Sequence, residues 1–366
     1  MKKVLLREIT SFLARGAAPK YTEKDDFYVL NQRCIRDWQV SLKDARFTDT
    51  EAKKVHNDRI LRDNDILVNS TGQGTLGRVA QFLKLDRPAT VDSHITIVRP
   101  VPDLVFPKYL GYVLKGRQNE IELLAEGSTG QTELSKLKLA NLSIDLPSLD
   151  QQKKIANILS SLDEKIELNR RMNETLEQLG QALFRHYFIN NPDAKKWKKR
   201  SLGEFFPVKT GKRDANFGTK DGKFPFFTCA QTISRAPSYS FDGSAILVAG
   251  NGDFNIKYYT GKFEAYQRTY VLIPHNEELL GFLYFLMKKD LSLITGGSRG
   301  SVIKFITKGM IENYRVELPD DNDLAAFAPI FSELLALISH SNEQIQTLAA
   351  LRDALLLKLI SGEIKI

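Results

Sequence analysis

Apolar residues fall in a four-three-four spacing through positions 155, 159, 162 and 166, and the stripe reaches on to 176 and 183. The same spacing begins again at 327, 331, 334 and 338 and continues through 345, 348, 355 and 359. Apolar positions every 3.5 residues, set among charged ones, predict two long amphipathic helices of coiled-coil type. Elsewhere the pattern is strand-like. "DILVN" and "AILVAG" are short apolar runs closed by Gly, Asn and Ser, while "ITIVRP" and "TYVLIP" end on proline. One short helical stretch accompanies each set, "PKYLGYVLK" in the first half and "LGFLYFLMKK" in the second.

The two long helices are copies. At a constant offset of 172, Leu146-Pro147 falls on Leu318-Pro319, Ile158 on Ile330, Leu162 on Leu334, Ile166 on Ile338, Thr175-Leu176 on Thr347-Leu348 and Leu179 on Leu351. The preceding segments correspond more loosely, "ILVNSTGQGTLGRV" (66–79) with "ILVAGNGDFNIKYY" (246–259) and "HITIVRP" (94–100) with "RTYVLIP" (268–274). The expected order is therefore domain 1–145, helix 146–190, domain 191–317 and helix 318–366.

Each helix of about 39 residues would be roughly 55 to 60 Å long. The linker "NNPDAKKW" (190–197) is too short to return the chain along that length, so the helices should pair antiparallel, with the domains at opposite ends of the pair. The expected helix-pair interface is Ile155, Leu159, Leu162, Ile166, Asn169, Asn173 and Leu176 against Phe331, Leu334, Ile338, Ser341, Ile345 and Leu348. Its polar members weaken such a seam but fix its register. The fold class is α+β: two mixed α/β domains separated by two long antiparallel coiled-coil helices, a pseudo-two-fold internal repeat.

Composition adds limits. With 366 residues, 42% hydrophobic and 26% charged, the chain can build two or three cores and is not disordered. No apolar run of the ~18 to 20 residues that span a membrane stands out, and "MKKVLLREITSF" has no apolar core of a signal peptide, so no membrane partner and a cytoplasmic location are expected. Cys34 and Cys229 stand far apart with no metal-binding neighbours and are read as ordinary core or near-surface residues.

Charge is informative once divided. The net charge is +4 over residues 1–145, zero over 146–195, +8 over 196–318 and −4 over 319–366. A basic excess confined to the two domains is the footprint of two nucleic-acid-binding modules, although a merely solvated basic surface would look the same. Direct readout needs Asn, Gln, Arg, Lys, Ser or Thr on loops that reach base edges, and phosphate contacts need Lys, Arg and Gly-rich turns. The DNA-binding candidates in the first domain are Asn69, Ser70, Thr71, Gln73 and Arg78 on one loop and Ser128, Thr129, Gln131 and Thr132 on another. In the second they are Asn251, Asn255 and Lys257, then Ser298, Arg299 and Ser301, with Lys209, Lys212, Arg213 and Lys220 in "KTGKRDANFGTK". Ordinary hairpin turns would also account for the Gly-rich pieces.

The stretch "LPSLDQQKKIANILSSLDEKIELNRRMNETLEQL" and its C-terminal echo ending "LLLKLISGEI" resemble the specificity subunit of Type I restriction-modification enzymes, as do "GAAPKY" (16–21), "TGKRDANFG" (210–218) and "GSTGQTELSKLKLANLSIDLP" (127–147). The resemblance covers essentially the whole chain and implies two target recognition domains, each reading one half of a split double-stranded DNA sequence. It implies helices that set the spacing, two methyltransferase subunits as partners and, for cleavage, two restriction subunits. S-adenosylmethionine, ATP and Mg would then belong to those partners, with no cofactor on this chain. Taken with the charged outer face of the first helix, it marks Arg170 and Arg171 as subunit-docking residues.

No catalytic set is visible, and none is expected. "NNPD" and "FDGSA" do not make a methyltransferase motif, "LPDDND" reads as helix capping, and His56, His94, His186, His275 and His340 are scattered. His94 and Arg268 occupy corresponding strand starts and are read as packing residues. Two alternatives stay open: a self-sufficient DNA-modifying enzyme with a diverged site, and a coiled-coil scaffold that binds no DNA.

Overall fold

The computed structural model describes residues 2–127, 132–297 and 304–366. The chain folds as two compact units, Met1–Ile166 with Thr347–Ile366, and Glu167–Gln346. Both long helices form, Leu149–Phe184, prolonged by a π-helical turn at Arg185–Ile189, and Asp321–Ser361; each contributes a segment to both units.

The repeated Leu-Pro has a structural reason. Leu146 pairs with Lys2 at the end of the antiparallel ribbon Lys2–Leu5 with Ser143–Leu146, and Leu318 pairs with Lys198 in the ribbon Lys198–Ser201 with Arg315–Leu318. Proline cannot donate to the ladder, so each ribbon stops there and the helix begins. The two helix starts then differ. Ser148 and Gln151 cap each other, Ser148 N–H and Oγ–H donating to Gln151 Oε1 and Gln151 N–H to Ser148 Oγ, all at 3.3 Å. The second helix uses Asp320, whose Oδ1 accepts from the N–H groups of Asn322 at 3.1 Å and Asp323 at 3.0 Å, the capping role its acidic entrance suggested.

In the first unit four antiparallel strands lie in the order Thr10–Arg15, Ile95–Pro100, Ile66–Asn69 and Val79–Gln81. Strand alternation sends Ile66 and Val68 to one face, against Tyr109 and Leu110 of the helix Pro107–Gly116, and Leu67 to the other, against Leu30 and Val91. Burial on both faces is why Ile66, Leu67 and Val68 are apolar without alternation. A second sheet, in the order Ala89–Val91, Tyr28–Leu30, Arg46–Thr48 and Tyr21–Thr22, opens with a parallel pair.

The second unit repeats the logic in one six-stranded sheet. Its order is Val208–Thr210, Thr269–Leu272, Phe241–Ala249, Ile256–Ala265, Phe224–Phe227 and Ser234–Ala236. Ile246 and Val248 pack with Phe282 and Leu283 of the helix Leu280–Thr295, whereas Ala245 and Leu247 pack with Phe227 and Phe263. Gly281 permits that helix to approach the second long helix, since a Cβ there would stand 2.4 Å from the Phe331 carbonyl carbon. Cys34 is fully buried, its thiol pushed up to about 11 by that burial, and Cys229 is half-buried.

Within each unit the long helices run antiparallel. In the first, Ile155, Ala156 and Leu159 share a core with Leu356 and Leu359, and Arg352 donates to Asp163 at 2.7 Å. In the second, Asn169 Nδ2 donates to Gln344 Oε1 at 3.1 Å, Asn173 Nδ2 to Asn342 Oδ1 at 2.9 Å, and Ser341 Oγ to the Asn169 carbonyl at 3.3 Å. Ile166, Phe331, Leu334 and Ile338 are buried, while Leu162, Leu176, Ile345 and Leu348 are half-buried. The second long helix corrects one expectation. An 18-residue window within it reaches a mean hydropathy of 1.5, enough by length and composition for a membrane span. The same helix supplies Phe331, Leu334, Leu335 and Ile338 to the core of the second unit.

The first unit also holds a cationic cluster. Asp37 and Trp38, with φ of 48° and 65°, turn a tight hairpin between Ile35–Arg36 and Gln39–Val40. Arg352 lies 4.1 Å over the Trp38 ring, and Lys115 sits 5.4 Å from that ring and 4.7 Å from Tyr112, whose hydroxyl donates to Asp163 at 2.6 Å. Burial pushes the Lys115 ammonium down to about 8, with Asp163 opposing the shift and Arg352 reinforcing it. Below that pH the folded chain carries the full cost of the buried charge. Above it the folded state binds fewer protons than the unfolded one, and stability rises until the unfolded lysine also titrates near 10.5. Lys115→Met should therefore melt above the native chain at pH 7, with the gap closing towards pH 10. Equal melting temperatures at both pH values would show that Lys115 carries no such strain.

Candidate nucleic-acid interface

Each central strand leads into a Gly-rich loop held by a set of backbone hydrogen bonds. In the first unit Ile66–Asn69 runs into residues 70–78, where Gly72, Gly74 and Gly77 hold φ of +96°, +71° and +82°. Only glycine adopts this region without strain. Ser70 N–H donates to the His94 carbonyl at 2.7 Å, and Leu134 N–H donates to the Ser70 carbonyl at 2.8 Å, so the loop lies between the strand start at 94 and the segment at 132–134. Asn69 Nδ2 donates to the Gln32 carbonyl at 2.9 Å, and Thr71 Oγ1 donates to Gln32 Oε1 at 3.2 Å. Four stretches of sequence thus converge.

Beside them opens a cleft of about 500 Å³, lined in part by Tyr21, Asn31, Gln32, Arg33, Arg46 and His94. The Arg46 guanidinium lies 3.5 Å over the Tyr21 ring. Asp92 also lines this cleft; burial raises its carboxyl above the usual range, while the N–H of His94, donating at 2.9 Å, opposes that shift.

The second unit builds the same arrangement. Phe241–Ala249 leads into residues 250–255, Gly250 N–H donates to the Arg268 carbonyl at 2.8 Å, and Ile306 N–H donates to the Gly250 carbonyl at 2.9 Å. Asn255 Nδ2 donates to the Cys229 carbonyl at 2.8 Å. A second cleft, of about 670 Å³, lies between the loop at Gly252–Phe254 and the helix Leu280–Thr295 and presents Lys288, Lys289 and Lys304. Lys288 is paired with Glu177 and Lys289 with Asp290.

Several sequence candidates change role. Asn69, Ser70 and Asn255 are buried, and their side chains bond the framework: Ser70 Oγ lies 2.5 Å from Thr96 Oγ1, and the two asparagines fasten neighbouring segments. They shape the loops and do not present donors to a groove. Lys257 is also committed, donating to the Ala230 carbonyl at 2.7 Å and to Asn255 Oδ1, and burial lowers its ammonium. Arg78 closes its own loop by donating to the Gly74 carbonyl at 2.8 Å.

Gln73, Thr132, Lys209, Lys212 and Lys220 are exposed, and Thr71 and Asn251 are half-buried beside the loops. Arg213, also exposed, pairs at 3.4 Å with the buried Glu264 and lies 4.5 Å over Phe217. Ser128, Thr129, Gln131, Ser298, Arg299 and Ser301 lie outside the described residues.

Sequence reasoning missed Gln32, Arg33, Arg46 and Tyr21, which sit on short strands and turns without a legible pattern. It noticed His94 and Arg268 but took them for packing residues. Both are exposed. Among the described residues no group of three or more His, Cys, Asp or Glu could hold a metal ion.

Comparison with known proteins agrees with this twofold construction. The family described as Type I restriction modification DNA specificity domain matches residues 19–178 and again 194–349. The Type I restriction enzyme EcoDI specificity subunit of Escherichia coli is 45% identical over 172 residues, which is 46% of this chain and 38% of that protein. The MjaIX specificity subunit of Methanocaldococcus jannaschii is 26% identical over 353 residues, 84% of this chain and 79% of that one. In fold the chain is similar to a Type-I restriction-modification system S subunit from M. genitalium, with a TM-score of 0.59 at 21% identity over 98% of this chain and 95% of the other. With two matched copies covering most of its length, the chain belongs to the Type I restriction-modification DNA specificity family.

Proposed function

We propose that this chain is the DNA-reading subunit of a Type I restriction-modification complex, recognising a bipartite target through one loop cluster in each unit. The observation that carries the reading is the framework built twice: a central strand, a Gly-rich loop and a strand start tied by the same hydrogen bonds, in two units of net positive charge. Backbone and cationic groups position such a protein on phosphates, and exposed side chains at loop tips meet base edges. The chain works in the cytoplasm and carries no chemistry of its own. Two methyltransferase subunits supply methyl transfer with S-adenosylmethionine, and two restriction subunits with ATP and Mg supply cleavage.

The helices act as the ruler. One heptad inserted into both at matching levels keeps the seam in register and adds about 10 Å of helix. The gap between the two half-sites should then grow by about three base pairs, as read by footprinting or by mapping methylated sites. An unchanged gap would remove the helices from that role, and an absence of salt-sensitive DNA binding would favour a scaffold.

Docking of the methyltransferase subunits falls to the outer face of the helix pair. Arg170 and Arg171 stand there, 40% and 73% exposed, both facing Glu167 at 4.0 and 3.0 Å, and Leu168, Met172 and Leu179 on the same segment are exposed apolar residues. Leu168, Met172 and Leu179 fall within about 40° of one another around the helix, and an exposed apolar row of this kind is a surface that a protein partner can cover. Changing Arg170 and Arg171 to Glu should weaken assembly on the order of 10- to 100-fold, since like charges set against each other cost several kcal/mol. Circular dichroism should show an unaltered fold. Complexes of normal size and stoichiometry at native concentrations would rule this face out.

A further inference from the structure

We propose that His94 and Arg268 are equivalent base-reading positions, Arg268 recognising a guanine in the second half-site and His94 an amino-bearing base, adenine or cytosine, in the first. The inference rests on the reading of the chain as a DNA specificity subunit and adds to it the residues and the base chemistry.

The equivalence is one of backbone. Ser70 N–H donates to the His94 carbonyl at 2.7 Å, and Gly250 N–H to the Arg268 carbonyl at 2.8 Å. One residue on, Gly16 N–H donates to the Ile95 carbonyl at 3.0 Å and Gly211 N–H to the Thr269 carbonyl at 2.9 Å. Two residues back, Asp92 N–H donates to the Leu30 carbonyl at 3.0 Å and Tyr266 N–H to the Phe227 carbonyl at 2.9 Å. Ile95 pairs with Asn69 and Thr269 with Ala249, the last residues of the two central strands. Two frames that agree this closely hold different side chains. Because both side chains are exposed, neither difference serves a core.

Arg268 donates no side-chain hydrogen bond and pairs with no carboxylate among the described residues. The same unit neutralises Arg213 against Glu264, so an arginine left open at the loop cluster is available for a ligand. A guanidinium fork matches the N7 and O6 acceptors of guanine in the major groove.

His94 is prepared differently. Thr71 Oγ1 donates to Gln32 Oε1, 3.2 Å away, which leaves it an acceptor for a proton on His94 Nδ1, 2.7 Å away. A ring carrying a single proton holds it on Nδ1, and Nε2 is then its lone-pair acceptor. Among base edges in the major groove, an acceptor selects the exocyclic amine of adenine or cytosine.

The test uses the full chain assembled with methyltransferase subunits and measures methylation on a DNA library randomised one position at a time. The native complex reports the two half-sites. Arg268→Ala should lose preference by about 5- to 150-fold at one G·C pair of the second half-site and leave the first intact. His94→Ala should relax one pair of the first half-site alone. Arg268→Lys decides between base and phosphate, because lysine keeps the charge and loses the fork: it should relax the same G·C pair as alanine does. The proposal is overturned if Arg268→Lys restores the native pattern, if Arg268→Ala weakens all sequences equally, or if the two alanine variants relax the same half-site. A native complex with no preferred sequence would overturn the reading as a specificity subunit along with it.

Discussion

Two apolar helix stripes that must be kept from water pair the long helices within each unit, and the first unit is unfinished without a segment from the far end of the chain. Leu356 and Leu359, near the C-terminus, lie in one core with Val4 and Ile155. Phe184, from the middle of the sequence, packs with Phe282 and Phe331. Hydrophobic burial of roughly 1.5 to 3 kcal/mol per large side chain drives such pairing but is indifferent to register. The polar members of the seam are not. Asn169 and Asn173 each leave a buried side-chain oxygen without a partner among the described residues, a cost of about 1 to 3 kcal/mol apiece. Their amide nitrogens meet Gln344 and Asn342, and that match selects one alignment of the two stripes.

A fixed register lets everything beyond it vary. Strands buried on both faces and loops closed by buried Asn69, Ser70 and Asn255 make a frame distinct from the exposed residues it carries. The frame is used twice, and the displayed positions differ: Gln32 and His94 in the first unit stand where Cys229 and Arg268 stand in the second. Under the proposed function, two unlike half-sites would be read through this separation of scaffold from display.

Much of the architecture was legible in the sequence because its signals are periodic. The four-three-four stripe located both helices and placed Asn169, Asn173 and Ser341 on the seam, and continuous runs such as "ILVN" marked the central strands. The candidate site was legible only in outline. Polar residues in Gly-rich loops look alike whether they face a groove or bond the backbone, and only the fold shows that Asn69 and Asn255 do the latter. Tyr28–Leu30 and Ala89–Val91 are three-residue strands paired across 61 positions, too short to carry a pattern, and the turn with Gln32 follows the first of them. The membrane-like hydropathy of the second long helix comes from counting apolar residues without knowing their partners.

Residues 1–190 alone test the internal repeat most directly. Ser341, the repeat of Asn169, bonds Asn169 itself, so two copies of the first helix in the same alignment set Asn169 against Asn169, and Phe184 takes the place of Leu356. An isologous pair then presents the first unit twice, in inverted orientation. Sedimentation should show a dimer, and with methyltransferase subunits it should methylate an inverted repeat of the first half-site. A stable monomer, or methylation of the asymmetric full-length target, would contradict the twofold construction.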